Sequence, residues 1–129
     1  MVQPSPRVPP PVAPPLIVRV PRALTISNRQ PFRAYVAELL ARGERDIVLD
    51  LSAAHFVDSA GLAMLIGLRN LARAYGASIG LAGLTDDVLE IFELGKLVPF
   101  FTVLPLVPSG RADLWQAPEG EPHPHTPPE

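Results

Sequence analysis

The chain has 129 residues, 47% of them hydrophobic and 19% charged, a composition typical of one globular domain and too short for a second core. Its net charge is −2 and its lysines and arginines are scattered, which argues against a nucleic-acid or anionic-lipid surface. It has no cysteine, which excludes disulfides, thiol chemistry and thiolate metal ligands.

The prolines indicate where the folded part begins and ends. Seven of the 17 prolines lie in residues 1–15, and none occurs in residues 32–98. A segment rich in proline and polar residues cannot bury enough apolar area to offset its ordering entropy. We therefore predict an extended, disordered proline-rich arm over residues 1–15, a folded domain over 16–116 and a disordered acidic, proline-containing tail over 117–129.

The first predicted elements are a strand and an amphipathic helix. Residues 16–20, Leu-Ile-Val-Arg-Val, form a compact β-branched run that stops at Pro21, as a strand would. Pro31 stands where a helix would start, and Gly43 follows as its stop. Between them, apolar residues recur with helical spacing on one face: Phe32, Tyr35, Val36, Leu39 and Leu40.

A central strand and a second helix follow. The near-continuous apolar run over residues 47–51 is typical of a strand covered on both faces, so we place it at the centre of the sheet. The proline-free segment 60–75 predicts a helix that Gly76 ends. Arg69 and Arg73 lie in its C-terminal half, where positive charge favours the helix dipole.

The next strand and the third helix are shorter. Residues 78–82 predict a strand, after which Thr85 is placed to cap a helix with Asp86 and Asp87 in its first turn. Gly95 is predicted to close this helix. Its predicted buried face consists of Val88, Leu89, Ile91 and Phe92.

The order of these elements predicts the fold class. Residues 100–104 form a last strand, and Pro105 and Pro108 are expected to end its pairing. Strands that alternate with helices over short connections build a mostly parallel sheet by right-handed crossovers. We predict an α/β fold with four to five strands packed by amphipathic helices.

The candidate site lies at Asp58-Ser59, where the central strand has ended and the second helix begins. Unpaired N–H groups and about half a positive charge at a helix N-terminus can hold a phosphate. One interpretation is a helix cap and nothing more, because Ser and Asp are preferred there. The other is a phosphorylation switch at Ser59 beside a docking surface, because residues 60–68 carry no charge and therefore no polar face. A helix sandwiched more deeply than usual would also explain that stretch.

These residues resemble a known family. Val-Leu-Asp-Leu-Ser over residues 48–52, and Phe-Val-Asp-Ser-Ala-Gly-Leu over 56–62, are similar to the signature of STAS domains, the fold of bacterial anti-sigma-factor antagonists. The resemblance runs from about Leu16 to Leu104. It implies that Ser59 is phosphorylated by an anti-sigma factor that is itself a serine kinase. The unphosphorylated form would bind that partner, and the phosphorylated form would release it.

The uncharged stretch beside Ser59 and the resemblance together predict the binding surface. We place it at Asp58, Gly61, Leu62 and Met64. A phosphate adds about −1.5 to −2 charges, which the helix N-terminus tolerates but which a docked interface would have to desolvate beside Asp58.

One turn departs from the family pattern. Family members carry a Gly-Glu-x-Asp turn after the early strand, and its acidic residues lie near the phosphorylation site and contact the kinase. The turn here reads Arg-Ala-Leu-Thr over residues 22–25, so Ala23 and Thr25 replace the two acidic residues.

Other STAS functions remain open at this point. The Gly-Leu-Ala sequence at residues 61–63 matches the variant in small STAS subunits that sit on the ATPase of phospholipid-transporting ABC systems. A STAS module of a larger sensory assembly is a further alternative, and the sequence leaves a homodimer possible.

An enzyme is not predicted. His55 could be imagined as a base near Ser59, but no third orienting group or oxyanion site accompanies it, so we assign no catalytic residue. His123 and His125 in the tail are too weak a signal for a metal site, and no cofactor is expected.

The sequence also predicts a cytoplasmic protein. Prolines interrupt every short apolar run before Leu16, so the start of the chain lacks a secretory signal core. No apolar segment approaches the roughly 20 residues that cross a bilayer, and we expect no membrane insertion.

Overall fold

The structure, a computed structural model, describes residues 14–113. Most of the predicted arm and all of the predicted tail, with His123 and His125, lie outside these residues, so the predicted domain boundaries stay predictions. The described elements, in chain order, are β1 Leu16–Arg19, β2 Ala23–Leu24, α1 Arg29–Ala41, β3 Asp46–Asp50, β4 Phe56–Val57, α2 Ser59–Ala74, β5 Ser78–Ala82, α3 Asp86–Leu94, a 3₁₀ turn Val98–Phe100, β6 Thr102–Leu104 and β7 Arg111–Asp113.

Five of the strands form one sheet in the order β6-β5-β3-β1-β7, and every neighbouring pair is parallel. The predicted α/β fold is therefore confirmed. As predicted, β3 is the central strand, and its residues from Ile47 to Asp50 are buried on both faces. A separate two-stranded parallel sheet joins β2 to β4.

The core lies between the helices and one face of the sheet. The connections through α1, α2 and α3 all move in the same direction across the sheet, so right-handed crossovers place the three helices on the same face. None of the helices within residues 14–113 is long and apolar enough to cross a bilayer. The largest fully buried side chains include Phe32, Leu40, Ile47, Leu49, Leu65, Leu68, Leu81 and Phe92.

Helix α1 begins earlier than predicted, at Arg29 rather than at Pro31. A proline is tolerated in the first turn because an N–H there has no intrahelical acceptor. The preceding residue, Asn28, makes no side-chain cap. Its side chain instead donates to the Ala23 carbonyl at 2.8 Å and accepts from the Thr25 amide at 2.9 Å, which fixes the loop between β2 and α1.

All three helices end at or next to the predicted glycines, but the left-handed residue is a glycine in only two of them. Gly43 and Gly76 follow α1 and α2 with φ of +108° and +73°, a conformation that glycine adopts without strain. Gly95 also follows α3, but the left-handed residue there is Lys96, at φ 57°. The amides of Lys96 and Leu97 reach back to the carbonyls of Glu93 and Phe92, which is the Schellman pattern.

The C-terminal part differs from the sequence-based expectation. Strand β6 starts at Thr102, because the residues before it form the 3₁₀ turn. Its pairing ends before Pro105, as predicted. Pairing then resumes in the unpredicted strand β7, where Arg111 lies opposite Leu16 of β1. An Arg-Ala-Asp segment carries no β-branched or aromatic residue, so only the tertiary contact with β1 makes it a strand.

A two-point ion pair holds β7 in place. The Arg111 guanidinium donates to the two Glu44 oxygens at 2.9 and 3.2 Å, and its Nε donates to the Pro14 carbonyl at 3.2 Å. The hydrogen bonds and charge of Arg111 hold the pKa of the Glu44 carboxyl below its usual 4.5, and the same contact raises the pKa of Arg111.

This pair predicts a pH-dependent part of the stability. Because the folded pKa of Glu44 lies below its unfolded value, the pair stabilises fully above about pH 5 and is lost as pH falls through the folded pKa. Glu44→Gln should lower the urea midpoint at about pH 7, and its difference from wild type should shrink as pH falls through the folded pKa of Glu44. Glu38→Gln is the control, since Glu38 meets Arg42 only at 3.8 Å with both side chains largely exposed. A difference in urea midpoint between Glu44→Gln and wild type that is as large at about pH 3 as at about pH 7 would contradict the prediction.

Candidate functional site

Asp58 fixes the start of α2 with both carboxylate oxygens. Its Oδ1 accepts the Gly61 amide proton at 2.8 Å, which caps the helix, and its Oδ2 accepts the Ile26 amide proton at 3.1 Å. Ile26 is 32 positions away in the chain and belongs to the loop between β2 and α1. One side chain therefore joins the start of α2 to a distant loop.

Ser59 is the first residue of α2 rather than its cap. Of the two candidates for the cap, the structure selects Asp58, because its backbone is extended and its carboxylate reaches the Gly61 amide. Ser59 is exposed, and its hydroxyl forms no hydrogen bond with any residue in the described range 14–113. The hydroxyl therefore lies at the positive end of the helix. Within the described residues it makes no hydrogen bond that a modification would break.

The turn that departs from the family pattern lies beside this helix start. Ala23 and Leu24 of β2 pair with Phe56 and Val57 of β4, and the Leu24 carbonyl accepts the Asp58 amide proton at 3.1 Å. The turn therefore lies close to Ser59, as the sequence comparison predicted. The residues that replace the family's acidic pair, Ala23 and Thr25, bring no negative charge to it.

Three of the four predicted binding residues lie differently from the expectation. Met64 is wrong as a surface residue: it is only 4% exposed and packs in the core with Leu65 and Leu68. Gly61 is also buried, and it allows α2 to approach β2 closely. Leu62 is half-buried against the core and only its edge remains accessible. Asp58 is partly exposed beside Ser59.

Two exposed apolar side chains near Ser59 were missed. Ile26 is 66% exposed and its amide donates to Asp58, and Phe56 is 50% exposed and precedes Asp58 by two residues. The alternation in β4 could have revealed Phe56, because Val57 is buried and its neighbour must then point outward. Nothing in the local sequence marks Ile26, whose position depends on the bond to Asp58.

His55 contacts α3. Its Nδ1 lies 4.0 Å from the Asp87 Oδ2, and both side chains are largely exposed. Next to it, the Thr85 hydroxyl donates to the Ala54 carbonyl at 2.8 Å and accepts from the Val88 amide at 3.3 Å, so the predicted cap also fastens α3 to the loop before β4. His55 thus has an acidic neighbour that the sequence did not predict, in an exposed contact between a loop and a helix.

Comparison with known proteins gives a consistent result. A family model described as "STAS domain" matches residues 3–109, which confirms the resemblance seen in the sequence. The Bordetella bronchiseptica protein "Putative anti-sigma factor antagonist BtrV" is 28% identical over 88 residues, covering 68% of this chain and 76% of that protein.

Solved structures show the same fold. A Thermotoga maritima structure titled "putative anti-sigma factor antagonist" has a TM-score of 0.61 at 22% identity, covering 67% of this chain and 77% of that one. The unphosphorylated anti-sigma factor antagonist SpoIIAA has a TM-score of 0.61 at 19% identity, covering 73% and 84%. The Bacillus SpoIIAA structure in its phosphorylated form has a TM-score of 0.55 at 19% identity, covering 73% and 86%.

Proposed function

Because the chain belongs to the STAS domain family, we propose that it is an anti-sigma-factor antagonist switched by phosphorylation of Ser59. It acts by binding and not by catalysis. Its partner is an anti-sigma factor with serine kinase activity, which it holds when Ser59 is unphosphorylated and releases when Ser59 carries a phosphate. This places its action in the cytoplasm, where sigma factors work. The named relatives support this proposal over the transporter alternative, since they are antagonists by description.

The observation that carries the proposal is the position of Ser59. An exposed hydroxyl with no hydrogen bond to the described residues can enter a kinase site without breaking any contact that holds the fold. The helix start behind it is fixed independently by Asp58, whose two bonds hold both α2 and the neighbouring loop. Phosphorylation therefore changes the surface while the scaffold stays in place.

The charges around Ser59 allow the fold to accept a phosphate but disfavour the phosphorylated form in a complex. The α2 N-terminus contributes about half a positive charge, which favours a phosphate on the first helical residue. The carboxylate of the adjacent residue, Asp58, already accepts one of the free amide protons at this helix end and partly neutralises its positive charge. In a complex, about two further negative charges would be desolvated next to this carboxylate, which disfavours binding unless the partner supplies a cation.

The contact surface that we propose differs from the one that the sequence suggested, because it omits Gly61 and Met64 and includes Ile26 and Phe56. It consists of Ser59, Asp58, the exposed edge of Leu62 and the two exposed apolar side chains Ile26 and Phe56. Apolar side chains that remain exposed around a phosphorylatable serine supply area that a partner can bury. Because the adjacent turn has no carboxylates, any kinase contact at this turn uses other groups than the acidic pair of the family pattern.

Affinity purification from extracts of the source cells tests the proposal. Wild type and Ser59→Ala should retain a kinase-like ATPase, identified by mass spectrometry, and Ser59→Asp should retain at least tenfold less. Ser109→Asp is the control, because it adds the same charge on an exposed serine of the loop before β7.

Two outcomes would contradict the switch. One is equal retention by Ser59→Asp and Ser59→Ala, which would leave Ser59 without a regulatory role. The other is recovery of transporter subunits or of other STAS proteins in place of a kinase, which would favour the ABC-system or sensory-assembly alternative.

A further inference from the structure

A second concave site lies far from Ser59, where the C-terminal half of α2 meets the segment that leads into β6. The cavity has a volume of about 250 Å³ and is lined in part by Arg69, Arg73, Ser78, Phe100 and Thr102. Ser59 and Arg73 are 14 helical positions apart, which corresponds to about 21 Å along the helix axis. We call this cavity the Arg69 pocket.

The Arg69 pocket has an excess of positive charge. Arg69 and Arg73 are spaced i, i+4 on α2, so they lie on the same helix face, where their like charges repel each other. Neither forms an ion pair with any residue in the range 14–113, and no carboxylate lines the pocket. The α2 C-terminus supplies only about half a negative charge, so the two positive charges of the arginines are only partly neutralised.

One arginine is already positioned by an aromatic ring. The Arg69 Cζ lies 6.0 Å from the centroid of the Phe100 ring, and its Nη1 contacts the Asn70 Oδ1 at 3.3 Å. Such a cation–π contact limits the motion of the side chain without neutralising its charge. The Phe100 ring itself remains 49% exposed, so an apolar face adjoins the cationic one.

Arginine suits a phosphate ligand, because one guanidinium can donate two parallel hydrogen bonds to one phosphate. Ser78 at the start of β5 and Thr102 at the start of β6 border the pocket on the sheet side.

We propose that the Arg69 pocket binds the phosphate group of a small organic phosphate, with Arg69 and Arg73 as the charged donors and Phe100 against its apolar part. The pocket is separate from the Ser59 surface, so this binding does not depend on the antagonist function.

The test is an NMR titration of the full-length ¹⁵N-labelled protein with inorganic phosphate and with phenyl phosphate at constant ionic strength. We expect saturable shifts of the Ser78, Phe101 and Thr102 amides, with phenyl phosphate binding more tightly. Arg69→Gln and Arg73→Gln should each weaken binding about tenfold, as expected for the loss of a charged donor. The control Arg33→Gln removes an exposed arginine of α1 and should leave the affinity unchanged.

Further arms separate the possible ligands. Phe100→Leu should bring the affinity for phenyl phosphate down to that for inorganic phosphate. Equal affinity for the two probes in wild type would overturn the contact with Phe100 and indicate free phosphate as the ligand. Equal binding of acetate would overturn phosphate recognition. Shifts that do not saturate, or that survive both Arg69→Gln and Arg73→Gln, would overturn the site itself. Ser59→Asp should leave the titration unchanged, whatever its effect on the partner.

Discussion

Replacing Gly61 by alanine is expected to lower the free energy of unfolding by about 3 kcal/mol, a large fraction of the total stability of a small domain. An added Cβ would stand 2.4 Å from the Leu24 carbonyl oxygen and 2.9 Å from the Val57 Cγ1. The first of these is a backbone atom. It also accepts the Asp58 amide proton, so it cannot retreat without breaking the bond that holds β2 to the helix start.

Gly67 provides the matched control for this substitution on the same helix. No atom lies within 4 Å of a Cβ added there. Gly67→Ala should therefore stabilise the protein by about 0.5–1 kcal/mol through helix propensity and the restricted unfolded chain. The measurement is the free energy of unfolding of both variants from urea denaturation. Equal changes for the two substitutions would contradict the close approach of α2 to β2.

Removing the Asp58 carboxylate is expected to cost about 2 kcal/mol, because Asp58→Ala deletes a helix cap and a second hydrogen bond together. The Gly61 amide loses its acceptor at the helix start, and the Ile26 amide loses its acceptor in the loop. Beyond the change in urea midpoint, hydrogen exchange should show both amides losing protection, although they lie in separate elements.

Asp58→Asn distinguishes the geometry of this contact from its charge. An asparagine can keep its oxygen toward the Gly61 amide, but its NH₂ group would then face the Ile26 amide, donor against donor. We expect a loss between those of wild type and Asp58→Ala, with protection retained at Gly61 and lost at Ile26. A loss equal to that of Asp58→Ala would show that the carboxylate charge, and not the bond to Gly61, supports the helix.

The longer elements could be predicted because their signals are local. The apolar periodicity of α1, the continuous apolar run of β3 and the glycines after α1 and α2 each reflect a preference that a few neighbouring residues determine. The order of strands and helices then restricts the sheet to parallel pairing by right-handed crossovers. The motif around Asp58 and Ser59 belongs to this group, since a helix start with a cap and a hydroxyl is written in adjacent residues.

The site required more than local signals. The uncharged stretch that begins α2 has no periodicity that separates surface from interior, so Met64 was assigned to the surface although it packs in the core. The exposed Ile26 reaches the site only through a bond to a residue 32 positions away. The charged Arg69 pocket likewise arises where a helix end meets the approach to β6.

By itself, the sequence determined the α/β class, the central strand, three helices and a phosphate-compatible serine at the start of the second helix. Only the tertiary structure decided that Asp58 caps that helix and fastens a distant loop, that β2 pairs with β4, and that β7 completes the sheet beside β1. The physical reason is the range of the interactions. Helix propensity, capping and strand patterning act over a few residues, whereas short strands and two-ended hydrogen bonds gain stability only when remote segments meet.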